Sequence, residues 1–352
     1  MMRRMLTRAM LAALMVGVPL AAVAAPVGVA TGSTASAATC PGQTLNIGPS
    51  AATPNLSYPY GIAADASGNI LVADGSTNTI YRFDSSGTQT LAIPPTATTP
   101  NLSDSLGLAL DSAGNIYVVN RDNANVVKFD PSGHPLMTIS ASAATPNLSE
   151  PVGLAVDSAG NIYVGDEGTS AVYRFNPSGT QTLAIASSAG TPALGDPDGL
   201  AVDSAGNIYV GNYVGNTINK FNSSGTQVMA IPASAGTPTM SGPSGVAVDA
   251  LGNIYVGTQD GHAVYVFDST GTQKFAITSA QATPAFEAPV GIALDPTGNL
   301  YVADKYNHNV YRFCTGIVQP SSSTTSTTAT TASTSSTAAP AAAVAVEPTF
   351  TG

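Results

Sequence analysis

An internal period of 46 residues, kept without insertion or deletion, constrains this chain more than any other feature. The segment Gly-Leu-Ala-Val-Asp-Ser-Ala-Gly-Asn-Ile-Tyr-Val recurs with small variations from Gly61, Gly107, Gly153, Gly199, Gly245 and Gly291, so one supersecondary unit is present in six copies. Units of this length bury their faces only against their neighbours, which signals a repeat architecture. The copy that begins at Gly153 reads as four short strands. Gly153 to Asp157 and Asn161 to Gly165 flank the turn Asp157-Ser-Ala-Gly160, while Ala171 to Phe175 and Gln181 to Ile185 flank Asn176-Pro-Ser-Gly179. Asp in such a turn bonds the backbone two residues on, and Gly takes the positive φ that closes it. The recurrent Asp65, Asp111, Asp157, Asp203, Asp249 and Asp295 are therefore read as turn formers rather than as active-site carboxylates.

Four antiparallel strands per copy, with no helical period, predict an all-β fold: a six-bladed β-propeller. The termini predict how its ring closes. Gln43-Thr-Leu-Asn-Ile47 matches the fourth strand of the other copies, and the last copy stops after its third strand at Phe313. The N-terminal strand then completes the last blade and leaves no unpaired edge. Aligned on the repeat, Cys40 and Cys314 both fall at the turn between the third and fourth strands of that blade. A Cys40–Cys314 disulfide locking the ring is the expectation.

Outside the repeats the composition changes. Arg3, Arg4 and Arg8 precede an apolar stretch and then small residues, the layout of a secretory signal peptide over residues 1–37, with cleavage after Ala24 or Ala37. The mature protein is expected to be secreted, extracellular or cell-wall associated, without membrane insertion, where oxidising conditions suit a disulfide. The propeller spans 40–314. Residues 315–352, almost wholly Ser, Thr, Ala and Pro from Pro320 to Val346, are expected to form a disordered tail.

Charge narrows the partners. Acidic side chains outnumber basic ones by 21 to 11, for a formal net charge of −10, and three of the Arg lie in the leader. A polyanion requires clustered Lys and Arg, so nucleic acid is excluded as a ligand. Arg82, Lys128, Arg174, Lys220 and Arg312 do recur at one repeat position, where they read as structural groups with buried stems and heads at an edge. A monomer is expected, with no cofactor and no metal.

Pro151-Val-Gly-Leu-Ala-Val-Asp-Ser-Ala-Gly-Asn-Ile-Tyr-Val-Gly-Asp166, and still more Pro289-Val-Gly-Ile-Ala-Leu-Asp-Pro-Thr-Gly-Asn-Leu-Tyr-Val-Ala-Asp304 with Asn307-His-Asn-Val-Tyr-Arg-Phe313, resemble NHL repeats. The resemblance spans about residues 41 to 314 and implies a propeller. It implies no single function, because the family includes receptor sensor domains, RNA-binding modules and peptide-amidating lyases, and more distantly streptogramin lyases and lactonase-like propellers. The three-His zinc site that likeness to the amidating lyases implies cannot be assembled here. His134 belongs to a turn remote from His262 and His308.

Positions kept in every copy maintain the blade; those that vary are free to carry specificity. The variable ones cluster in the connection between the second and third strands, on the same face as the segments before the first strands, where Tyr58, Tyr60, Asp104, Glu150, Asp196, Asp198 and Glu287 sit. Loops on one face of a rigid scaffold are the usual place for binding. The candidate ligand-binding residues are Arg121, Asp122, Glu167, Tyr213, Asp260, His262, Lys305, Tyr306 and His308. The carboxylates make this face acidic, which suits a basic peptide, an amine or a cation, or serves solubility alone. Asp74, Asn120, Asp166, Asn212, Thr258 and Asp304 form a further ring at the ends of the second strands, read as loop caps. No catalytic constellation is complete, so the sequence weighs against an enzyme. The expected function is a recognition or scaffold module for a protein, peptide or cell-envelope glycan; the alternative is an extracellular lyase or lactonase-like enzyme using the His and carboxylates of this face.

Overall fold

The structure, a computed structural model, describes residues 41–317. They form six four-stranded antiparallel sheets arranged as the blades of a propeller. Blade one consists, from the axis outwards, of Pro59–Ala64, Ile70–Asp74, Thr79–Phe83 and Gln89–Ile93, and blades two to five repeat that order. Blade six takes Pro289–Leu294, Asn299–Asp304 and Asn309–Cys314 from one end of the propeller and Gly42–Ile47 from the other. Gly42 stands opposite Cys314 and Ile47 opposite Val310. The innermost strand of each blade packs on that of the next, and Pro289–Leu294 packs on Pro59–Ala64, so the ring is closed.

Burial is greatest in the middle strands of each blade. All five residues of Ile70–Asp74 are buried, whereas the outermost Gln89–Ile93 buries only Ile93. Side chains from both faces of a blade enter the space between blades: Ile70, Val72, Tyr81 and Phe83 pack with Ala293, Tyr301 and Val310 across the junction of blades one and six. The Asp turns do what their chemistry predicts. The Asp65 carboxylate accepts the N–H of Ser67 at 2.8 Å and of Asn69 at 2.9 Å, and the other copies repeat the pattern. The recurrent cations are structural as well. Arg82, Arg174 and Arg312 each donate to a turn carbonyl of the next blade, at 3.3, 3.0 and 3.0 Å. Lys128 and Lys220 instead lie over their own Tyr117 and Tyr209 rings, at 4.8 and 4.7 Å.

The expected clasp needs a correction. In the described structure the antiparallel ladder between Gly42–Ile47 and Asn309–Cys314 closes the ring; no disulfide between Cys40 and Cys314 is described. Cys40 lies outside the described residues, and Cys314, at the end of its strand, is not a free thiol. The expected signal peptide at 1–37 and the tail beyond residue 317 lie outside the described residues too. The first residues after Cys314 are packed: Thr315 is buried and donates to the Gly298 carbonyl at 3.1 Å, and Ile317 packs against the core between blades five and six.

The axis is set by glycine. A Cβ on Gly61, Gly107, Gly153, Gly199, Gly245 or Gly291 would lie between 1.9 and 2.2 Å from the backbone oxygen of the residue preceding the equivalent glycine in the next blade, and Gly291 meets Tyr60 to complete the circle. Replacing Gly199 by Ala puts the new methyl 1.9 Å from the Ser244 carbonyl. It should cost about 3 kcal/mol of unfolding free energy, since the packed blades have no room to part without strain. Gly48→Ala, whose Cβ meets only the Asn309 side chain at 3.5 Å, should stay within about 0.5 kcal/mol. Urea denaturation of the two variants checks this, and equal losses would contradict it.

Candidate functional site

The backbone geometry at the axis decides which side chains meet. The residue just before each axial glycine points toward the centre, giving a ring of Tyr60, Leu106, Val152, Asp198, Ser244 and Val290. Below it the channel is lined by the glycines and by Ile62, Leu108, Leu154, Leu200, Val246 and Ile292, leaving a space of only about 50 Å³. Above it, on the face of the variable loops, lies a cavity of about 250 Å³.

The loops around this cavity are held by the ring at the ends of the second strands, every member of which is fully buried. The Asp74 carboxylate accepts the N–H groups of Ser57, Tyr58, Ser76 and Thr77 at 2.6 to 3.1 Å. Asp166 and Asp304 receive the N–H groups of Ser149 and Glu287 in the same way, and the amide oxygens of Asn120 and Asn212 those of Ser103 and Gly195. Buried carboxylates persist when backbone donors satisfy them, so the Asp and Asn members cap loops, as expected, whereas Thr258 donates to the Ala263 carbonyl at 2.8 Å. Their capping delivers the next residue of each loop to the cavity. Arg121, Glu167, Tyr213, Gln259 and Lys305 all line it from one repeat position, and Gly75 fills that position in blade one. A Cβ on Gly75 would sit 3.1 Å from the Tyr58 ring, so its absence makes room for Tyr58.

Three networks organise the cavity. Across the axis, between opposite blades, the Tyr60 hydroxyl donates to Asp198 Oδ1 at 2.6 Å. On blades two and three, the Arg121 guanidinium meets Asp104 at 3.3 Å, Glu150 at 2.7 Å and Glu167 at 3.1 Å. On blades four to six, Lys305 Nζ donates to Gln259 Oε1, Gln259 donates to the Tyr213 hydroxyl at 3.3 Å, and that hydroxyl donates to Asp260 at 2.9 Å. The Lys305 ammonium also lies 5.4, 5.5 and 5.0 Å from the ring centres of Tyr58, Tyr60 and Tyr306, which is cation–π range.

Burial perturbs the titration of these groups. Burial first, and then the charge of Asp198, pushes Glu167 up to about 7 despite the opposing pull of Arg121. Burial raises Asp198 above the usual carboxylate range and Tyr60 well above the usual phenol. It lowers Lys305, outweighing the nearby Asp198, Asp260 and Glu167. Among the described residues no group of three or more His, Cys, Asp or Glu side chains is arranged to hold a metal ion.

Of the nine residues singled out from the sequence, Arg121, Glu167, Tyr213 and Lys305 line the cavity, and Asp260 and Tyr306 support it from outside. Asp122 accepts a hydrogen bond from Ser103 at 2.7 Å and faces away. His262 and His308 are exposed and sit at positive φ just before the third strands, as Asn78 and Asn216 do in other blades. His262 bonds through Nδ1 to the Glu287 carbonyl, so it ties down a loop. Tyr58, Tyr60, Asp104, Asp196 and Asp198 were placed on this face by the sequence but not assigned to the site, and Gln259 was missed. Their signal was present: each stands at a repeat position that changes chemistry from blade to blade, Tyr60 and Asp198 directly before the invariant glycine.

Residues 148–175 and 286–313 match the NHL repeat. No curated protein matches the chain. Solved structures with this fold include a gluconolactonase from Xanthomonas campestris, 20% identical with a TM-score of 0.57 over 75% of this chain and 86% of that one. Virginiamycin B lyase from Staphylococcus aureus is 17% identical with a TM-score of 0.55 over 78% and 88%. A chain of the nidogen/laminin complex is 19% identical with a TM-score of 0.55 over 68% and 85%. At these identities the likeness is one of propeller fold. It nevertheless corrects the expectation that weighed against an enzyme: a gluconolactonase and a lyase share the fold, so the fold gives no ground against catalysis.

Removing the Tyr60 hydroxyl tests the axial network. Tyr60→Phe leaves the buried Asp198 without that donor and should cost about 1–3 kcal/mol. Asp198→Asn keeps an acceptor for the hydroxyl and should cost less than about 1 kcal/mol. Denaturation at neutral pH compares them, and the reverse order would contradict the assigned bond.

Proposed function

We propose that this NHL-repeat propeller is an enzyme of the lyase or lactonase type, acting by general acid–base chemistry in the axial cavity. One observation carries the reading: Glu167, in the cavity wall and held by Arg121, is pushed up to about 7 by burial and by Asp198. A carboxyl that titrates near the working pH exchanges protons in both directions, which suits it to be a general base or acid. As base it takes the proton of a water whose oxygen adds to the ester carbonyl carbon, or of the carbon beside the carbonyl, whose freed electron pair forms a C=C bond; in either case the bond to the leaving oxygen breaks, and Glu167 returns the proton to that oxygen. Lys305, fixed by Gln259 over the tyrosine rings, faces the developing negative charge. The Tyr60–Asp198 pair forms the polar part of the floor. The His residues of this face, which the sequence offered for such an enzyme, take no part. Neighbours that are named a gluconolactonase and a virginiamycin B lyase support ester or lactone bonds as the first class to try. The secreted or cell-wall-associated location expected from the leader belongs to the same proposal.

A recognition role for this face is the second reading, favoured by the neighbour from the nidogen/laminin complex. A panel of small lactones and esters separates the two. Hydrolysis or elimination should be detectable, kcat/KM should rise with pH through about 7 as Glu167 ionises, and Glu167→Gln should lower it by ~100-fold or more and abolish that limb. Turnover absent across the panel, or unchanged in Glu167→Gln, would contradict the acid–base reading.

A further inference from the structure

The two cations of the cavity are held in different ways. Arg121 meets three carboxylates directly, whereas Lys305 donates to the neutral Gln259 amide, with Asp198, Asp260 and Glu167 attracting it from farther off. An amide has two ends, and its NH2 end would repel an ammonium. The bonds behind Gln259 settle which end it presents. Asp260, an exposed carboxylate, can only accept, and the Lys305 ammonium can only donate. Between them the Tyr213 hydroxyl has a single proton, which goes to Asp260 at 2.9 Å. Its oxygen is left to accept from Gln259 Nε2 at 3.3 Å, and Gln259 Oε1 then faces Lys305. Burial, and then the bond to Asp260, pushes Tyr213 up to about 12, which keeps that proton in place at neutral pH. Only one direction of donation satisfies both ends of this relay.

A second observation is steric. Tyr213, Gln259 and Lys305 stand at one repeat position of blades four, five and six, so the bonds from Tyr213 to Gln259 and from Gln259 to Lys305 each cross from one blade to the next. Beside the Tyr213–Asp260 contact lies Gly242, where a Cβ would sit 2.8 Å from Asp260 Oδ2 and 2.9 Å from the Tyr213 ring. Its φ of 60° does not by itself demand glycine, because Asp104 and Asp196 adopt φ of 51° and 52° at the same repeat position of blades two and four. Glycine is required in blade five so that Tyr213 can reach Asp260.

We propose that Asp260 and Tyr213 are positioning residues that act through Gln259 to hold the Lys305 ammonium in the cavity wall with no carboxylate bonded to it. The inference rests on the acid–base reading of the same cavity and names the groups that keep its cation in place. A carboxylate bonded to Lys305 would cancel much of the charge that the developing anion must meet. A neutral amide oxygen fixes the ammonium and leaves its charge to the substrate.

Nitrogen-15 NMR of the lysine ammonium groups in the full chain tests the relay without substrate. The lysines are Lys128, Lys220, Lys274 and Lys305, and Lys305→Met assigns the signal. The Lys305 ammonium protons should exchange with water ~10-fold faster in Tyr213→Phe and in Asp260→Ala, whose bond-fixing partners are lost, while those of Lys274 stay unchanged. On the panel of esters and lactones the same two variants should lower kcat ~10-fold and move KM by less than ~2-fold, since they disturb orientation rather than binding. Asp260→Asn, which keeps an acceptor for the hydroxyl, should restore most of both effects. Tyr213→Phe keeps the ring and Asp260 is exposed, so both variants are expected to fold. Lys305 exchange unchanged in either folded variant would overturn the relay, even in an enzyme whose turnover depends on Glu167. Faster exchange with kcat untouched in such an enzyme would overturn the positioning role. Faster exchange in both variants, with no turnover that depends on Glu167, removes the acid–base reading and leaves the placement of Lys305 by Asp260 and Tyr213 standing.

Discussion

Each axial glycine lies against a backbone oxygen of the following blade, and this contact, made six times around the ring, sets the geometry on which the rest of the molecule depends. Any side chain there would force the innermost strands apart. Because the strands come so close, the residue before each glycine is brought to the axis, and side chains from opposite blades can touch. Tyr60 and Asp198, 138 positions apart in sequence, meet at 2.6 Å for that reason. The apolar ring beneath them narrows the channel to a space of about 50 Å³, which forms the floor of the cavity.

Buried Asp and Asn caps transmit this order outward. They spend their oxygens on the N–H groups of two loops at once, one before the first strand and one after the second, and so hold those loops to the rigid ends of the blades. The next residue of the chain lines the cavity in blades two to six, and in blade one it is Gly75. A scaffold of this kind separates fold from chemistry: glycine and cap maintain the blade, and the neighbouring positions are free to differ. Here they hold an arginine, a glutamate, a tyrosine, a glutamine and a lysine in succession.

The period, the strand order and the terminal strand that completes blade six were all legible, because each follows from repetition and from turn chemistry within one copy. The face of the site was legible from variation between copies. The membership of the site was read less well, since exposure in a loop does not reveal direction. Asp122 follows Arg121 immediately yet turns to Ser103, and His262 and His308 fill a left-handed loop position that Asn fills elsewhere. Tyr60 and Asp198 pair through convergence at the axis, which one repeat taken alone cannot express. Gln259 carries no charge and drew no attention, although it links Lys305 to Tyr213. Ring closure through the strand ladder was legible, whereas the disulfide expected beside it depended on a residue outside the described chain.

Acid–base chemistry in the cavity requires an environment that alters proton affinity, because an ordinary solvated surface would leave its carboxylates as they are in water. Burial of Glu167 beside Asp198, with Arg121 already shared among three carboxylates, makes the ionised form costly. The most direct measurement is a carbon-13 NMR titration of the Glu167 side-chain carboxyl in the native protein, assigned by comparison with Glu167→Gln. A midpoint near 7 is the result expected; a midpoint at about 4.3, that of an unperturbed glutamate, would contradict it.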